Sequence, residues 1–203
     1  MIVTAFALWA LFLGRSAAGG GATCDGRTAT VVGDASGDHL EGTSGPDVIN
    51  GLGGVDVIHG RGGRDRLCGS EGNDVIIGND GNDRLFGGSG NDTMSGNDGQ
   101  DDLFGFKDTD SLFGDKGADF INGGSESESL ADDGLIAGGP GSDKLFGNTG
   151  NDDLRGGAGR QDVLRGEEGM DGLSGGAGDD DACRGGPNPD TADGTCEIVT
   201  GVP

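Results

Sequence analysis

The chain has 203 residues, which is room for one ordinary domain or one short array of repeats. Glycine supplies 48 of them, against a usual share of about 7%, and there are 8 phenylalanines, 1 tryptophan and no tyrosine, so a conventional two-layer core is hard to build. Acidic residues outnumber basic ones 36 to 13, and the formal charge of −23 excludes nucleic acid and anionic membrane surfaces as favoured partners, because both bind basic patches. Cations are the natural counterpart of such a chain.

An uninterrupted apolar run, IVTAFALWALFL at 2–13, opens the sequence. It is shorter than the roughly 20 residues of a membrane span and is typical of the apolar region of a signal peptide, although no basic side chain precedes it. Small residues around 16–18 suit cleavage, so 1–18 are predicted to be a signal peptide, with a buried strand or helix as the alternative. We therefore expect a secreted, extracellular protein without membrane insertion.

Four cysteines form an even set, which fits disulfide bonds in an oxidising compartment. Three pairings are possible. We predict Cys24–Cys68, which ties the lead segment 19–32 to the start of the array, and Cys183–Cys196, which closes a short loop near the C-terminal end. A zinc site is the competing interpretation, but there is no CxxC pair and both histidines lie far from the C-terminal cysteines in the sequence.

Nine-residue blocks follow one another without a gap from 33 to 122, ten in all. Every block has Gly at position one, Asp at position six and Leu, Ile or Met at position eight, and eight of the ten have Gly at position four. An irregular segment at 123–137 is predicted to loop out. Five further units occupy 138–183, of which the one beginning at 156 carries an extra residue, and 184–203 is predicted to be a C-terminal cap.

The spacing predicts an all-β fold. Glycines at positions one and four supply the positive φ of tight turns, and positions seven to nine form a short strand with only the middle side chain inward. Two units per 18-residue turn wind the chain into a solenoid of stacked parallel sheets. One buried apolar side chain per unit contributes about 1.5–3 kcal/mol, whereas ordering each of nine backbones costs about 1–2 kcal/mol, so the apolar core alone is insufficient.

Stacked turns also align the position-six carboxylates in two rows, one along each edge, where they repel unless cations lie between them. Turn carbonyl oxygens can complete an all-oxygen shell, which suits Ca²⁺ better than Mg²⁺, and the repeats lack the Cys and His that soft metals prefer. Several calcium ions, the only cofactor predicted, are therefore expected to supply the missing folding free energy.

These blocks resemble the RTX (repeats-in-toxin) nonapeptide GGxGxDxUx over about 33–183. The resemblance implies a right-handed parallel β-roll, with each calcium between turns on one edge and held by turn carbonyls and the position-six Asp. The implied metal ligands on one edge are Gly45, Asp47, Gly63, Asp65, Gly81, Asp83, Gly99 and Asp101. Those on the other edge are Gly54, Asp56, Gly72, Asp74, Gly90 and Asp92. The same ligand set includes Asp38, Asp119, Asp143, Asp152 and Asp171.

Two departures from the motif affect the implied ligands. Asp108 replaces the position-four Gly, so Asp110 is left out of the implied ligands, and Gln161 disturbs the unit at 156, where Asp162 is the substitute. The wider layout, with CDGRTATVVG at 24–33 and a C-terminal cysteine pair, is similar to small secreted calcium-binding proteins of actinobacteria.

No catalytic arrangement is supported, since every Asp has an explanation in the repeat and the only histidines, His39 and His59, occupy outward strand positions. We therefore expect no enzyme. The expected function is extracellular calcium binding with calcium-dependent folding, and the alternative is a calcium-stabilised adhesion or interaction module at the cell surface.

Phenylalanine recurs at position nine, which should face outward. A cross-strand ladder that shields the sheet is the favoured interpretation, and a partner or self-association surface is the alternative. These residues are Phe86, Phe104, Phe113 and Phe146.

Overall fold

The structure, a computed structural model, describes residues 21–125, 132–178, 180–196 and 198–199. The predicted signal peptide lies outside these residues. Within them, no helix is long and apolar enough to cross a membrane.

Short strands joined by tight turns make up the described chain. In chain order they are β1 (Thr23–Cys24), β2 (Arg27–Thr28), β3 (Val31–Val32), β4 (His39–Glu41), β5 (Val48–Gly53), β6 (Val57–Gly63), β7 (Arg66–Glu71), β8 (Val75–Gly81), β9 (Arg84–Ser89), β10 (Thr93–Asp98), β11 (Asp102–Lys107), β12 (Ser111–Lys116), β13 (Phe120–Ser125), β14 (Asp132–Gly141), β15 (Lys144–Thr149), β16 (Asn151–Gly159), β17 (Val163–Glu168), β18 (Gly172–Ala177), β19 (Ala182–Arg184), β20 (Thr191–Ala192) and β21 (Ile198–Val199).

Alternate strands belong to alternate sheets. The even-numbered strands from β4 to β20 form one parallel sheet, here the even sheet, and the odd-numbered strands from β3 to β21 form the other, the odd sheet. Each strand pairs with the strand one turn away in register, as Leu85 with Leu103 and Leu103 with Ile121. β1 and β2 form a separate antiparallel hairpin. The predicted parallel β-solenoid is confirmed.

The core is a single layer of position-eight side chains between the two sheets. Strand side chains alternate in direction, so the residues on either side of each core residue face outward. All core residues are buried, with at most 4% of any side chain exposed: Leu40, Ile49, Ile58, Leu67, Ile76, Leu85, Met94, Leu103, Leu112, Ile121, Ile136, Leu145, Leu154, Leu164, Leu173 and Cys183.

The sheets take in more of the chain than the sequence predicts. β13 extends through Ser125 and β14 begins at Asp132, so both ends of the segment 123–137 lie in strands and do not loop out. Ile136 explains the second end, because it occupies a core position and aligns β14 with β12. The array also continues past 183, since Gly185 begins a further unit whose strand, β20, pairs with β18.

Left-handed backbone occurs at positions two and four of the turns, which corrects the prediction for position one. Position two is left-handed even where it is not glycine, as at Leu52 (φ 75°) and Phe106 (φ 82°). Position-one glycines are needed for space: a Cβ on Gly51 would collide with the carboxylate of Asp56 and the carbonyl oxygen of Gly69. Sequence alone shows where glycine recurs, but it does not separate a conformational requirement from a steric one.

Both predicted disulfide bonds are present. Cys24–Cys68 joins β1 to β7, and Cys183–Cys196 joins β19 to the C-terminal segment. The β1–β2 hairpin is held further by Asp25 in the turn between its strands, whose carboxylate accepts from Arg66 at 3.1 Å and also pairs with Arg84. The hairpin therefore fixes the lead segment against the outer face of the odd sheet.

A single-layer core should make each position-eight residue indispensable to its turn. Leu103→Ala is expected to lower the free energy of unfolding in calcium by about 2–5 kcal/mol, because the cavity cannot be filled from a second layer. Urea unfolding followed by circular dichroism measures the change. Val75→Ala, at an outward position with 36% of the residue exposed, is the control and should cost about 0.5 kcal/mol or less. Equal losses for the two variants would contradict the single-layer core.

Candidate metal centre

The position-six aspartates connect successive turns along both edges of the roll. Except in Asp38, Asp47 and Asp152, which begin their runs, Oδ1 of each accepts a hydrogen bond from the backbone N–H of the aspartate one turn earlier, at 2.7–3.0 Å. Row one contains Asp38, Asp56, Asp74, Asp92 and Asp110, and then Asp152, Asp171 and Asp190. Row two contains Asp47, Asp65, Asp83, Asp101, Asp119, Asp143, Asp162 and Asp181.

These carboxylates are buried although the chain is short of cations. Asp56, Asp65 and Asp143 are 0% exposed, and most other row members are below 3%. Each carboxylate lies between the α-carbon of its own block's position-one Gly and the neighbouring turn, so water is excluded from both sides. Burying a carboxylate without a counter-ion costs several kcal/mol, so the rows need compensation.

The second carboxylate oxygen, Oδ2, shows where the buried negative charge has no hydrogen-bond partner. At the N-terminal end, Oδ2 accepts from a backbone N–H, that of Asp34 for Asp38 (2.7 Å) and that of Thr43 for Asp47 (2.6 Å). Further along, Oδ2 is buried and has no hydrogen-bond partner among the described residues. This holds for Asp56, Asp65, Asp74, Asp83, Asp92, Asp101, Asp119, Asp143, Asp162, Asp171 and Asp181. A row of orphaned acceptors is what a bound cation would satisfy.

Burial raises the pKa of row carboxylates along the middle of the roll above the usual 3.8. The pKa of Asp56 is raised to about 6 and that of Asp65 to about 7, first by desolvation and then by neighbouring row members, against the lowering effect of the backbone hydrogen bond. Burial raises the pKa of Asp92, Asp101 and Asp143 to about 7 as well. The metal-free roll therefore favours protonated carboxyls near neutral pH, where an unfolded chain would be fully ionised.

Backbone oxygens provide the other donors. The carbonyl oxygen of Gly54 lies directly against the α-carbon of Gly72 one turn on, and that of Gly63 lies in the same way against Gly81, so position-four carbonyls point into the space between turns. In the described part of the chain no group of three or more His, Cys, Asp or Glu side chains could hold a metal by itself. A cation would thus combine carboxylates with backbone carbonyls, a hard, all-oxygen donor set that calcium accepts.

The structure places the sequence-predicted metal ligands along two edges of the roll. Asp47, Asp65, Asp83 and Asp101 are consecutive in row two, with Gly45, Gly63, Gly81 and Gly99 in the turns before them. Asp56, Asp74 and Asp92 are consecutive in row one, with Gly54, Gly72 and Gly90. Asp38 and Asp171 extend row one, Asp119 and Asp143 extend row two, and Asp152 resumes row one beyond the irregular segment.

The rows contain aspartates that the sequence-based ligand set omits. Asp110 accepts from Asp92 at 2.9 Å although Asp108 stands in place of glycine, because Asp108 itself adopts the left-handed φ of 70°. Asp162 accepts from Asp143 at 2.9 Å, so the extra residue in its block is absorbed before position six. Asp190 accepts from Asp171 at 3.0 Å in the unit after 183, where the Gly-Gly start and the Asp five residues after it were the available signal.

Position-five asparagines add a second connection between turns. Oδ1 of Asn73 accepts from the backbone N–H of Asn91 at 2.9 Å, and Oδ1 of Asn82 accepts from Gln100 at 3.1 Å. In these bonds the side chain belongs to the earlier turn and accepts from an N–H of the later turn. In the aspartate rows the direction is opposite, because an N–H of the earlier turn donates to a carboxylate of the later turn. The recurring Gly-Asn-Asp triplet was the sequence signal for this role, and it holds the turns in the spacing that a metal would bridge.

Comparison with known families agrees with this geometry. The model of the RTX calcium-binding nonapeptide repeat matches residues 32–67, 69–103, 104–127, 130–160 and 161–182, which are the same units that carry the buried rows. No curated protein matches the chain significantly. The chain belongs to the RTX calcium-binding nonapeptide repeat family and is a calcium-binding β-roll.

Proposed function

We propose that the chain is an extracellular calcium-binding protein whose roll folds when calcium binds. The observation that supports the coupling is the row of buried carboxylate oxygens without hydrogen-bond partners. At neutral pH such a row makes the metal-free roll unfavourable, because desolvation and mutual repulsion act on every turn. Calcium supplies the positive charge that the rows lack, and its binding free energy becomes folding free energy.

The residues that would hold calcium are those that face the space between turns. In row two these are the carboxylates of Asp65, Asp83 and Asp101 and the carbonyl oxygens of position-four glycines such as Gly63 and Gly81. The Oδ1 hydrogen bond holds each carboxylate in place, and the position-one glycine leaves room for Oδ2. The repeat of this arrangement along both edges supports several sites, not one.

An extracellular setting is supported by three features. Two disulfide bonds close the ends of the array, and disulfides persist in oxidising compartments. The apolar run at 2–13 has the form of a signal peptide, and the CDGRTATVVG lead is similar to that of small secreted calcium-binding proteins of actinobacteria. A switch of this kind also suits export, since scarce cytosolic calcium would leave the chain open and extracellular calcium would close it.

The proposal gives the chain no catalytic role. The buried aspartates already have structural partners in the neighbouring turns, and their environment recurs along the roll instead of marking one site. His39 and His59 lie on the outer face of the even sheet with their ring centroids 5.5 Å apart, and His39 faces Glu41 at 3.4 Å.

Removing calcium should unfold the roll. In chelator near neutral pH, the strand signal in circular dichroism is expected to be lost, and adding calcium to about millimolar concentration should restore it cooperatively. Magnesium at the same concentration is the control and should act poorly, because it requires a tighter octahedral shell. A full strand signal in chelator would show that the fold does not depend on the metal.

Acid should partly replace calcium. The row carboxylates of Asp56, Asp65, Asp92, Asp101, Asp119 and Asp143 have a pKa of about 6–7 when folded and 3.8 when unfolded, so the metal-free fold binds protons. Its protonation-linked stability is complete below about pH 4 and is lost as the pH rises through about 6–7. In chelator, the strand signal should therefore increase between about pH 8 and pH 5. A signal that stays flat or falls over this range would contradict the burial of uncompensated carboxylates.

Substitutions at Asp83 separate charge from shape. Asp83→Asn keeps an oxygen that can accept the N–H of Asp65, now at 2.8 Å, but removes the charge. The variant should need several-fold more calcium to fold, because a metal ligand is weakened. In chelator, its metal-free fold should be less unstable than that of the unmodified chain, because one buried charge has been removed. Asp83→Ala should also need more calcium and in addition leaves a buried N–H unsatisfied, at a cost of about 1–3 kcal/mol.

Asp153→Ala provides the matched control for Asp83. Asp153 lies at an outward position on β16 and pairs with Arg155 at 2.7 Å, away from both rows. Its calcium titration, followed by circular dichroism, should match that of the unmodified chain. An equal shift for Asp153→Ala and Asp83→Asn would mean that overall charge, not the buried row, controls folding.

A further inference from the structure

The outer face of the odd sheet carries a continuous aromatic surface that the calcium rows do not require. Phe86 and Phe104 stack with centroids 5.3 Å apart and ring planes within 7°. Phe120 continues the line at 5.7 Å from Phe104, and Phe146 follows at 5.3 Å from Phe120. Phe106 lies beside the first pair, 6.2 Å from each ring. These five residues are here called the Phe stripe, and they run parallel to the axis of the roll.

The Phe stripe has features that shielding of the sheet does not require. Phe106 is 47% exposed and occupies a left-handed position two, where glycine or asparagine would be less strained. Phe113 shows the contrast: it holds the same position nine on the even sheet, and no aromatic ring stacks on it among the described residues.

Cations without carboxylate partners extend the stripe toward the C-terminal end. Lys144, Arg165 and Arg184 are exposed on three consecutive strands of the odd sheet, and no carboxylate of the described chain lies within ion-pair distance of them. Arg165 also lies over the ring of Phe146, 5.5 Å from its centroid. On the even sheet, the outward Arg155 is paired with Asp153. A chain with a formal charge of −23 thus leaves three cations unpaired on one face.

A shallow polar groove of about 250 Å³ runs alongside the other end of the stripe. Arg64, Asn82 and Gln100 line it at position five, and Arg84 and Asp102 line it at position seven. The row-two aspartates Asp83 and Asp101 and the side chain of Ala118 complete the lining, so the groove lies beside the calcium edge. Arg84 connects the two features, since its guanidinium lies 5.3 Å from the centroid of Phe86 and 5.8 Å from that of Phe104. Amides, guanidinium and carboxylate together offer both donors and acceptors, which is the mixture that hydroxyl groups bind.

We propose that this face, from β9 to β19, binds a linear acidic polysaccharide. The outward amides and guanidinium of the groove bind hydroxyl groups, the unpaired cations bind carboxylates, and the exposed carbon surface of the Phe stripe packs against the C–H groups of the sugar rings. A polymer fits because the surface is long and narrow: five inter-strand steps from β9 to β19 span about 24 Å. When the buried rows bind calcium, much of the negative charge that would repel such a polymer is neutralised.

Other occupants fit less well. Single-stranded nucleic acid binds by stacking bases on exposed ring faces, and the rings of Phe86 and Phe104 cover each other. Added peptide strands pair with an open sheet edge, whereas this surface is the face of a sheet whose strands from β5 to β19 are paired on both sides.

Binding of a short oligogalacturonate to the calcium-loaded protein, measured by calorimetry, tests the proposal. The double variant R165E/R184E should bind roughly tenfold more weakly, and binding should weaken with added salt. F104S/F146S should also lose affinity. The matched controls on the even sheet, R155E and F113S, should bind as the unmodified chain does. Circular dichroism titrated with calcium should be the same for all five proteins, which separates loss of binding from loss of calcium-dependent folding.

Several results would overturn the proposal. No binding of oligogalacturonate by a protein that folds normally with calcium would refute it and leave the calcium switch intact. Equal binding of the methyl-esterified oligomer would show that the cations are not used. Tighter binding of poly-glutamate or single-stranded DNA would assign the face to another class of polymer, and concentration-dependent sedimentation that R165E/R184E abolishes would assign it to a second copy of the chain.

Discussion

The hydrogen bond from one aspartate N–H to the carboxylate of the next turn is the interaction on which the roll depends. It connects every turn to its neighbour at a fixed spacing, and it does so with a charged group whose burial is unfavourable. The same side chain therefore fixes the spacing of the turns and destabilises the metal-free fold through its buried charge. A structure built in this way is stable only when something neutralises the carboxylates, and the arrangement thus makes the fold responsive to cations and protons.

Much of the remaining sequence follows from accommodating this carboxylate. Gly51 and its equivalents are small because Oδ2 of the position-six Asp occupies the place of a Cβ. Gly72 and its equivalents are small and left-handed because the carbonyl of the previous turn lies against them. Asparagine at position five, such as Asn73, holds the next turn from the other side. Glycine, asparagine and aspartate are thus parts of one packing solution, and changing one of them alters the space left for the others.

The period of nine residues was enough to predict the solenoid, its two sheets and its core, since position eight alternates in direction with its neighbours and is apolar in all ten units at 33–122. The period did not predict that the turns accommodate departures from the motif without breaking the aspartate rows. Asp108 takes a left-handed conformation and keeps Asp110 in row one, and an extra residue before Asp162 is accommodated in the turn. The ends of 123–137 join the sheets because Ile136 meets the core, a tertiary effect that an irregular spacing conceals.

The motif constrains positions one, four, six and eight, and it leaves the outward positions seven and nine free. Both sheets are built from the same repeat, so any difference between their outer faces cannot come from the requirements of the fold or of calcium. The even sheet presents polar and aliphatic residues with the single phenylalanine Phe113, whereas the odd sheet gathers five neighbouring phenylalanines and three cations that have no carboxylate partner among the described residues. The repeat therefore explains why the protein binds calcium, and the unconstrained positions of the odd sheet are where a function specific to this chain would be encoded.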